Sequence, residues 1–422
     1  MTLSHSIDCW AERQVLATLA RIAHGQLTVD LAGGRRTLGA AGGLTASVQI
    51  HDRRFFRRVI AGGEIGLGDA YMDGDWSTTD LVSLVRLMLA NRDVVGALPS
   101  AVAWIPRTLE SLAHRRRDNT PAGSRRNIHE HYDLGNEFFR LFLDSRLMYS
   151  CAVFESPDDT LEAAQVNKLR TICDKLALGP DDHVLEIGSG WGGFALFAAT
   201  YYGCRVTTTT ISAAQHDHVA DSIARAGDAG RRIDLRFEDY RELRGRFDKI
   251  VSIEMFEAVG FAHYDDYFAA CDRLLDGDGV MLLQTITVDD RRFAEYRSEA
   301  NWISKRIFPG AELASVGEIL ASLARVSRLT LHHTQQIGTH YARTLHCWRE
   351  RFNRRRHDVR AQGFDDRFIR MWDLYLAYCE AAFLDRHIGD VQLLLAKSAS
   401  RRVMFDEPWD RGAAFSAATE AR

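Results

Sequence analysis

Val184–Ala195 reads VLEIGSGWGGFA. The apolar Val184, Leu185 and Ile187 argue for a buried strand, and the glycines after them for a tight turn into a helix, where a backbone can come close to a ligand. Outward from this stretch the same rhythm repeats. WGGFALFAATYY predicts a helix, CRVTTTTI a strand, SAAQHDHVADSIARAG a helix and RIDLRFEDY a strand. FDKIVSIEMF and GVMLLQTITV add two more strands, separated by a helix from His263 to Leu275. Strands alternating with helices specify an α/β fold with a doubly wound parallel sheet.

A glycine-rich strand-to-helix turn also serves NAD, FAD and nucleotides, and tight strand-helix packing explains such glycines without any ligand. Glu186 inside the strand and the E-x-G-x-G-W-G spacing favour S-adenosylmethionine, because a carboxylate near the turn can hold that cofactor's amino group. At the end of the second strand an acid is expected for the ribose hydroxyls. The chain offers Thr210, Ser212 and Gln215 instead, all able to hydrogen-bond. Glu238, Asp239 and Tyr240 end the third strand at the height of an adenine amino group; an exposed acidic turn is the plainer reading.

The chain has 422 residues, more than one hydrophobic core usually serves, so two domains are expected. Its 53 basic and 57 acidic residues leave a net charge of −4, which gives no electrostatic case for nucleic acid as a partner. The seven cysteines are dispersed and lack CxxC spacing, arguing for a reducing compartment and against a zinc site or disulfide framework. No apolar run approaches the roughly 20 residues that span a bilayer, and the amino terminus does not read as a leader, so a cytoplasmic location is expected.

From Ala11 to His24, Val15, Leu16, Leu19 and Ile22 recur at helical spacing. Residues 25–52 alternate apolar and polar between glycine pairs, as short antiparallel strands would. A helix is predicted over Leu81–Leu89, with Thr78, Thr79 or Asp80 available to cap it. Residues 113–127, AHRRRDNTPAGSRRN, carry five arginines against one aspartate, the composition of a solvated linker or of a contact with anionic headgroups. The expected division is an α+β module at 1–112, a basic linker at 113–126, the cofactor domain at 127–404 and a tail at 405–422.

With these blocks in view, the sequence resembles the cyclopropane-fatty-acid synthases and related enzymes that methylate unsaturated acyl chains. The resemblance is carried by GLGDAYMDGDW (66–76), HYDLGNEFF (131–139), MYSCAVF (148–154), VLEIGSGWGG (184–193) and TISAAQ (210–215). It continues in SIEMFEAVG (252–260), IFPG (307–310), HYARTLHCW (340–348) and CEAAFLDRHIGDVQLLLAK (379–397). It implies a class I methyltransferase domain behind a smaller N-terminal lipid-binding domain, a homodimer, and an enzyme at the inner face of the membrane acting on phospholipid acyl chains. It also implies cofactor contacts from Tyr149, Ser150, Leu185, Glu186, Ile187, Gly188, Ser189, Gly190, Trp191, Gly192, Gly193, Thr210, Ile211, Ser212 and Gln215. A bicarbonate ion as base would be held by residues falling at Cys151, Glu257, Gln284, Ile286 and Tyr341. Cys379 aligns with a cysteine proposed as catalytic, although a structural thiol on an apolar helix face is the simpler reading.

The chemistry asks for such groups. An isolated alkene is a weak nucleophile, so the donor must be a sulfonium held along its π-face. Methyl transfer leaves a cation on the acyl chain, which aromatic faces can stabilise without capturing. Tyr132, Phe138, Phe139, Tyr149, Trp191, Phe256, Tyr264 and Tyr341 are candidates, with Tyr149 and Tyr341 the preferred pair and core packing the alternative for the rest. A base then takes a proton from the added methyl group. Glu257, at the mouth of the fourth strand, serves directly or through bicarbonate, unless it only caps the next helix. Where the well-known synthases read His-Thr-Ile, this chain has Gln284, Thr285 and Ile286. Glutamine cannot carry a proton near neutral pH, which keeps open a methylene- or methyl-branched product beside the cyclopropane. A non-catalytic lipid-binding protein is the reading from a different class.

Overall fold

The computed structural model describes residues 3–96, 134–298 and 301–400. By contacts the chain forms two compact units. One comprises Met1–Ser145, Thr287–Leu313 and Gly338–Gly389, the other Arg146–Ile286, Ala314–Ile337 and Asp390–Arg422. These differ from the sequential division expected above, since later segments cluster with the amino-terminal part. The basic linker 113–126, Tyr132 and the tail 405–422 lie outside the described residues.

In the first unit the opening helix spans Leu3–Leu19, starting earlier than its apolar spacing predicts, and Val15, Leu16 and Ile22 are buried. Strands β1 (Gln26–Leu31), β2 (Gly34–Gly39), β3 (Thr45–Ile50) and β4 (Trp76–Ser77) form a sheet in the order β2-β1-β3-β4. The expectation of antiparallel strands holds for β1 with β2 and fails for β1 with β3, which are parallel. The connection explains it. β2 ends with Gly39 opposite Gln26, and β3 begins with Thr45 opposite the same residue, so the short loop crosses below the start of β1 and the chain rises again in its direction. The loop passes so close that a side chain at Gly25, φ +104°, would strike the Leu44 carbonyl.

A helix over Arg54–Met72, not read from sequence, follows β3. Gly62 and Gly63 mask its periodicity, and Gly63 breaks the helical dihedrals with φ 51° and ψ −129°. The helix at Leu81–Ala90 lies where predicted, with the Asp80 side chain accepting from Ser83 N at 3.0 Å. Helices Gly338–Arg354 and Asp366–Leu384 pack on each other and complete the unit.

The second unit is built on a seven-stranded sheet. Its strands are β5 (His183–Ile187), β6 (Arg205–Thr210), β7 (Ile233–Phe237), β8 (Phe247–Ile253), β9 (Leu275–Val288), β10 (Leu329–Gln336) and β11 (Ile388–Lys397). Their order is β10-β11-β9-β8-β5-β6-β7, with β7, β6, β5, β8 and β9 parallel and β10 antiparallel to β11. The α/β doubly wound reading is correct for β5 to β9; β10 and β11 extend it beyond what the strand pattern predicted.

Alternation along the strands covers both faces of the sheet. Leu185, Ile250, Met281, Leu283, Leu393 and Leu395 point into one core with Tyr267, Phe268 and Ile319. Their neighbours Val184, Val251, Val280, Leu282 and Leu394 enter another with Leu169, Ile172 and Phe194. Truncating the fully buried Leu283 to alanine would cost about 2–5 kcal/mol. This rigid double core fixes the strand ends from which the site is built.

Candidate active site

At the carboxyl end of β5 the chain turns through Gly188, φ +93°, where a Cβ would come within 2.9 Å of Met255. Only glycine meets both demands. Gly188 N and Ser189 N donate to the Thr209 carbonyl at 3.1 and 2.9 Å, tying the turn to β6. A Cβ on Gly190 would meet nothing within 4 Å, which leaves room for a ligand at the turn. Beside it Glu186 is buried, with Oε2 accepting from Thr208 Oγ1 at 2.6 Å. Burial pushes its carboxyl up to about 8. A buried acid beside an open glycine turn fits a cationic ligand, whose charge would restore the carboxylate. These features match S-adenosylmethionine.

The remaining cofactor candidates sort by what their side chains already do. Leu185 and Ile187 are core residues, so only their backbone is available to a ligand. Thr210 Oγ1 donates to Gln215 Oε1 at 3.0 Å and accepts from Ser212 N at 3.1 Å, while Ser212 caps the Ala213–Arg225 helix at Gln215 N. These residues, with Ile211 between them, close the turn after β6. Ser150 Oγ accepts from the buried Lys168 Nζ at 2.6 Å, and its carbonyl from Gln165 at 2.9 Å; the adjacent Tyr149 is half-buried. Trp191 is buried, and Met148 fills the space a side chain at Gly193 would need.

Asp239 is held by Arg241, whose Nε and terminal nitrogen donate to its two oxygens at 2.9 and 2.8 Å. Tyr240 packs on Tyr267 in the core. Of the three residues after β7, Glu238 is half-buried and is the acid not held by Arg241.

A second group of side chains gathers at the ends of β8 and β9. Glu257 does not cap a helix: its Oε1 accepts from Ile286 N at 2.5 Å and Thr285 Oγ1 at 2.9 Å. Its Oε2 is buried without a hydrogen-bond partner. Burial and then the charge of Glu254 push the Glu257 carboxyl up to about 7. Glu254, which the sequence reading passed over, accepts on Oε1 from Cys151 N at 2.8 Å and from Gln284 Nε2 at 2.7 Å. Gln284 also lies 3.4 Å from Asp390 Oδ2 and accepts from Gln392 Nε2 at 2.9 Å. Gln392 in turn accepts from Lys175 Nζ at 2.8 Å. The Cys151 thiol is fully buried, donates to the Ala152 carbonyl at 3.2 Å, and is kept protonated by burial.

These bonds weigh against the expectation of bicarbonate. The donors expected to hold that ion, at Cys151, Gln284 and Ile286, are directed at Glu254 and Glu257. A further anion would meet two carboxylates with its donors already engaged, so the residues present do not fit it.

Tyr341, Cys379, Phe138 and Phe139 lie in the first unit. Tyr341 is buried there, its ring stacked on Phe383 at 4.5 Å and edge-on to Trp348 at 6.0 Å. Cys379, on the Asp366–Leu384 helix, has a thiol pushed up to about 12 by burial, which suits a structural role better than a nucleophilic one. Phe138 and Phe139 are buried in an aromatic cluster with Phe142 and Trp372, and Phe256 and Tyr264 in the core of the second unit, so packing accounts for these aromatics.

Residues 120–393 match the family described as mycolic acid cyclopropane synthetase. The tuberculostearic acid methyltransferase UfaA1 of Mycobacterium tuberculosis is 36% identical over 367 residues, covering 85% of each chain. The cyclopropane-fatty-acyl-phospholipid synthase of Escherichia coli strain K12 is 36% identical over 368 residues, covering 86% of this chain and 91% of its own. Among solved structures, the mycolic acid cyclopropane synthase CmaA1 complexed with SAH and CTAB has a TM-score of 0.61 at 32% identity. That match covers 65% of this chain and 98% of the other.

Proposed function

Because this chain belongs to the mycolic acid cyclopropane synthetase family, we propose that it is an S-adenosylmethionine-dependent methyltransferase that builds a cyclopropane ring at the double bond of an unsaturated phospholipid acyl chain. The observation that carries the reading is one sheet edge with two chemistries: the Glu186 and Gly188 turn for a cationic methyl donor, and carboxyls at Glu254 and Glu257 for a proton. When bound, the cofactor supplies an electrophilic methyl group on a sulfonium. Glu186 would hold its amino group, the backbone of 188–193 would lie along it, and Glu238 would take the adenine amino group. Burial keeps the Cys151 thiol protonated, and so a weak nucleophile toward a cation left on the acyl chain.

The test is product analysis. Purified protein with S-adenosylmethionine and monounsaturated phospholipid vesicles should give lipid with the high-field proton NMR signals of a cyclopropane ring. Terminal-alkene signals in their place would replace this reading with C-methylation to a methylene- or methyl-branched chain. That second reading is favoured by the Gln284 side chain, which is hydrogen-bonded at both ends and holds no titratable proton.

The enzyme would act as a peripheral protein at the cytoplasmic face of the membrane. Among the described residues no helix is long and apolar enough to cross a bilayer, while Ile7 and Trp10 stay exposed on the first helix, 49% and 40%. Apolar side chains left on such a helix suit a lipid surface. Sedimentation with anionic vesicles, compared with an Ile7→Ser/Trp10→Ser variant, tests the contact. Analytical ultracentrifugation of the protein without vesicles tests the homodimer that the family resemblance implies.

A further inference from the structure

We propose that Glu254 is the built-in base of this enzyme, its carboxylate taking the place of a bicarbonate ion. The inference rests on the methyltransferase reading above and names the group that ends the reaction.

The hydrogen bonds fix Glu254 Oε1 as an acceptor by elimination. An ammonium only donates, and burial brings Lys175 down only to about 8, so it remains an ammonium at neutral pH. Gln392 must therefore turn its carbonyl to Lys175 and its NH2 to the carbonyl of Gln284. Gln284 is then left with its NH2 facing Glu254, which also receives the Cys151 N–H. Glu254 Oε1 thus receives two donors, an arrangement that suits a carboxylate acting as acceptor. Beside it Asp390 is completely buried, with Oδ1 lacking a hydrogen-bond partner. Burial, and then the Glu254 charge, hold Asp390 as a neutral acid. Asp390 thus sits on the protonated side of the pair, and Glu254, with two donors aimed at its Oε1, on the accepting side.

The backbone gives a second line of argument. Glu254 has φ +49°, in the left-handed region that favours glycine. Strain of that kind persists where surrounding bonds over-determine it, and it gathers at working sites. The strained conformation puts the carboxylate on the Cys151 amide and the Gln284 amide, donors that the family resemblance assigns to bicarbonate. Glu254 is only half-buried, so a proton it takes can return to solvent.

In the step itself, a C–H bond of the newly added methyl group breaks and its electron pair closes the third C–C bond onto the cationic carbon. The proton forms an O–H bond on Glu254, which becomes a neutral acid and is ionised again by solvent before the next turnover. No oxidant or co-reactant is needed.

The experiment compares wild type, Glu254→Gly and Glu254→Gln, using dioleoylphosphatidylglycerol vesicles and S-adenosylmethionine in buffer purged of carbon dioxide, with and without added bicarbonate. Wild-type turnover should be the same in both buffers. Glu254→Gly relieves the backbone and opens the space; its turnover should fall on the order of 100-fold or more in purged buffer and recover with bicarbonate. Glu254→Gln keeps the shape, so it should fall similarly without recovering. Calorimetric titration with bicarbonate should give saturable heat with Glu254→Gly and none with wild type, while thermal unfolding and cofactor binding verify that both variants are folded. Wild-type turnover that collapses without bicarbonate, or wild-type turnover in Glu254→Gln, overturns the proposal. If wild type methylates no lipid in either buffer, the functional reading fails; the bicarbonate titrations still decide the inference, which falls if wild type binds the ion.

Discussion

Asp75 and Asp373 in the first unit are buried as deeply as Glu186 and Asp390 in the second, with exposures of 1% and 3% against 3% and 0%. Their surroundings are opposite. Asp75 receives Arg54 at 2.6 Å and Arg58 at 2.9 Å, and Asp373 receives Arg349 at 2.7 Å, Arg356 at 2.9 Å and Asn353 at 3.1 Å. Glu186 receives a threonine hydroxyl, and Asp390 faces a glutamine amide and another carboxyl. An acid supplied with guanidinium groups has its buried oxygens met by charged donors and ties elements together. Without such a cation, burial works against the charge, and the group is poised to ionise when a ligand or a proton transfer demands it. Asp239, in the second unit but clasped by Arg241, sides with the structural acids.

Breaking the first class should give the largest effect. Asp373→Ala leaves Arg349 and Arg356 without their carboxylate and should lower stability by about 3–5 kcal/mol, read as a fall in the denaturant midpoint. Cofactor affinity of the folded protein should stay within twofold or so, because Asp373 acts on packing alone. An unchanged midpoint would dissolve the distinction between the two kinds of acid.

The second class should respond the other way. Glu186→Gln should weaken S-adenosylmethionine binding by about 1.5–3 kcal/mol, the worth of a hydrogen bond to a charged group, without lowering the denaturant midpoint at pH 8. The sign with pH follows from the raised carboxyl. Its stabilising contribution is complete below the ordinary value of 4.5 and is lost as pH rises through about 8. Binding a cation requires the ionised form, so affinity should rise as pH climbs toward 8 and level above it. Calorimetry from pH 6 to 9 would show this slope in wild type; the same slope in Glu186→Gln would place the titrating group elsewhere.

How much of this was legible in the chain depends on the range over which each feature is written. The strands from β5 to β9 follow local apolar pattern, and Glu186, Gly188 and Glu257 follow from their places at strand ends. The Arg54–Met72 helix escaped because two glycines interrupt its period, and β11 because Asp390 and Gln392 sit inside its apolar run. The chain of bonds from Lys175 to Glu254 joins residues 217, 108 and 30 positions apart, so no window of sequence contains it. Glu254 itself stands three residues before Glu257. What sequence could not supply was its positive φ and the amide that it receives from Cys151.

The smallest effect tests whether the two units differ in general or only in how they treat buried acids. Each contains a helix whose first turn is capped by a side chain: Asp80 accepts from Ser83 N at 3.0 Å in one, and Thr160 from Ala163 N at 3.2 Å in the other. A cap satisfies a backbone N–H that the helix leaves unpaired, and this works alike for either residue because it requires only an acceptor oxygen at the right place. Asp80→Ala and Thr160→Ala should therefore each cost about 1 kcal/mol in denaturant unfolding. Both should leave the pH dependence of cofactor binding where wild type has it. If Thr160→Ala moved that dependence, the second unit's acids would be answering to the fold as a whole. If both caps behave alike and only Glu186→Gln flattens the profile, the contrast lies in the presence or absence of a guanidinium beside each buried carboxyl.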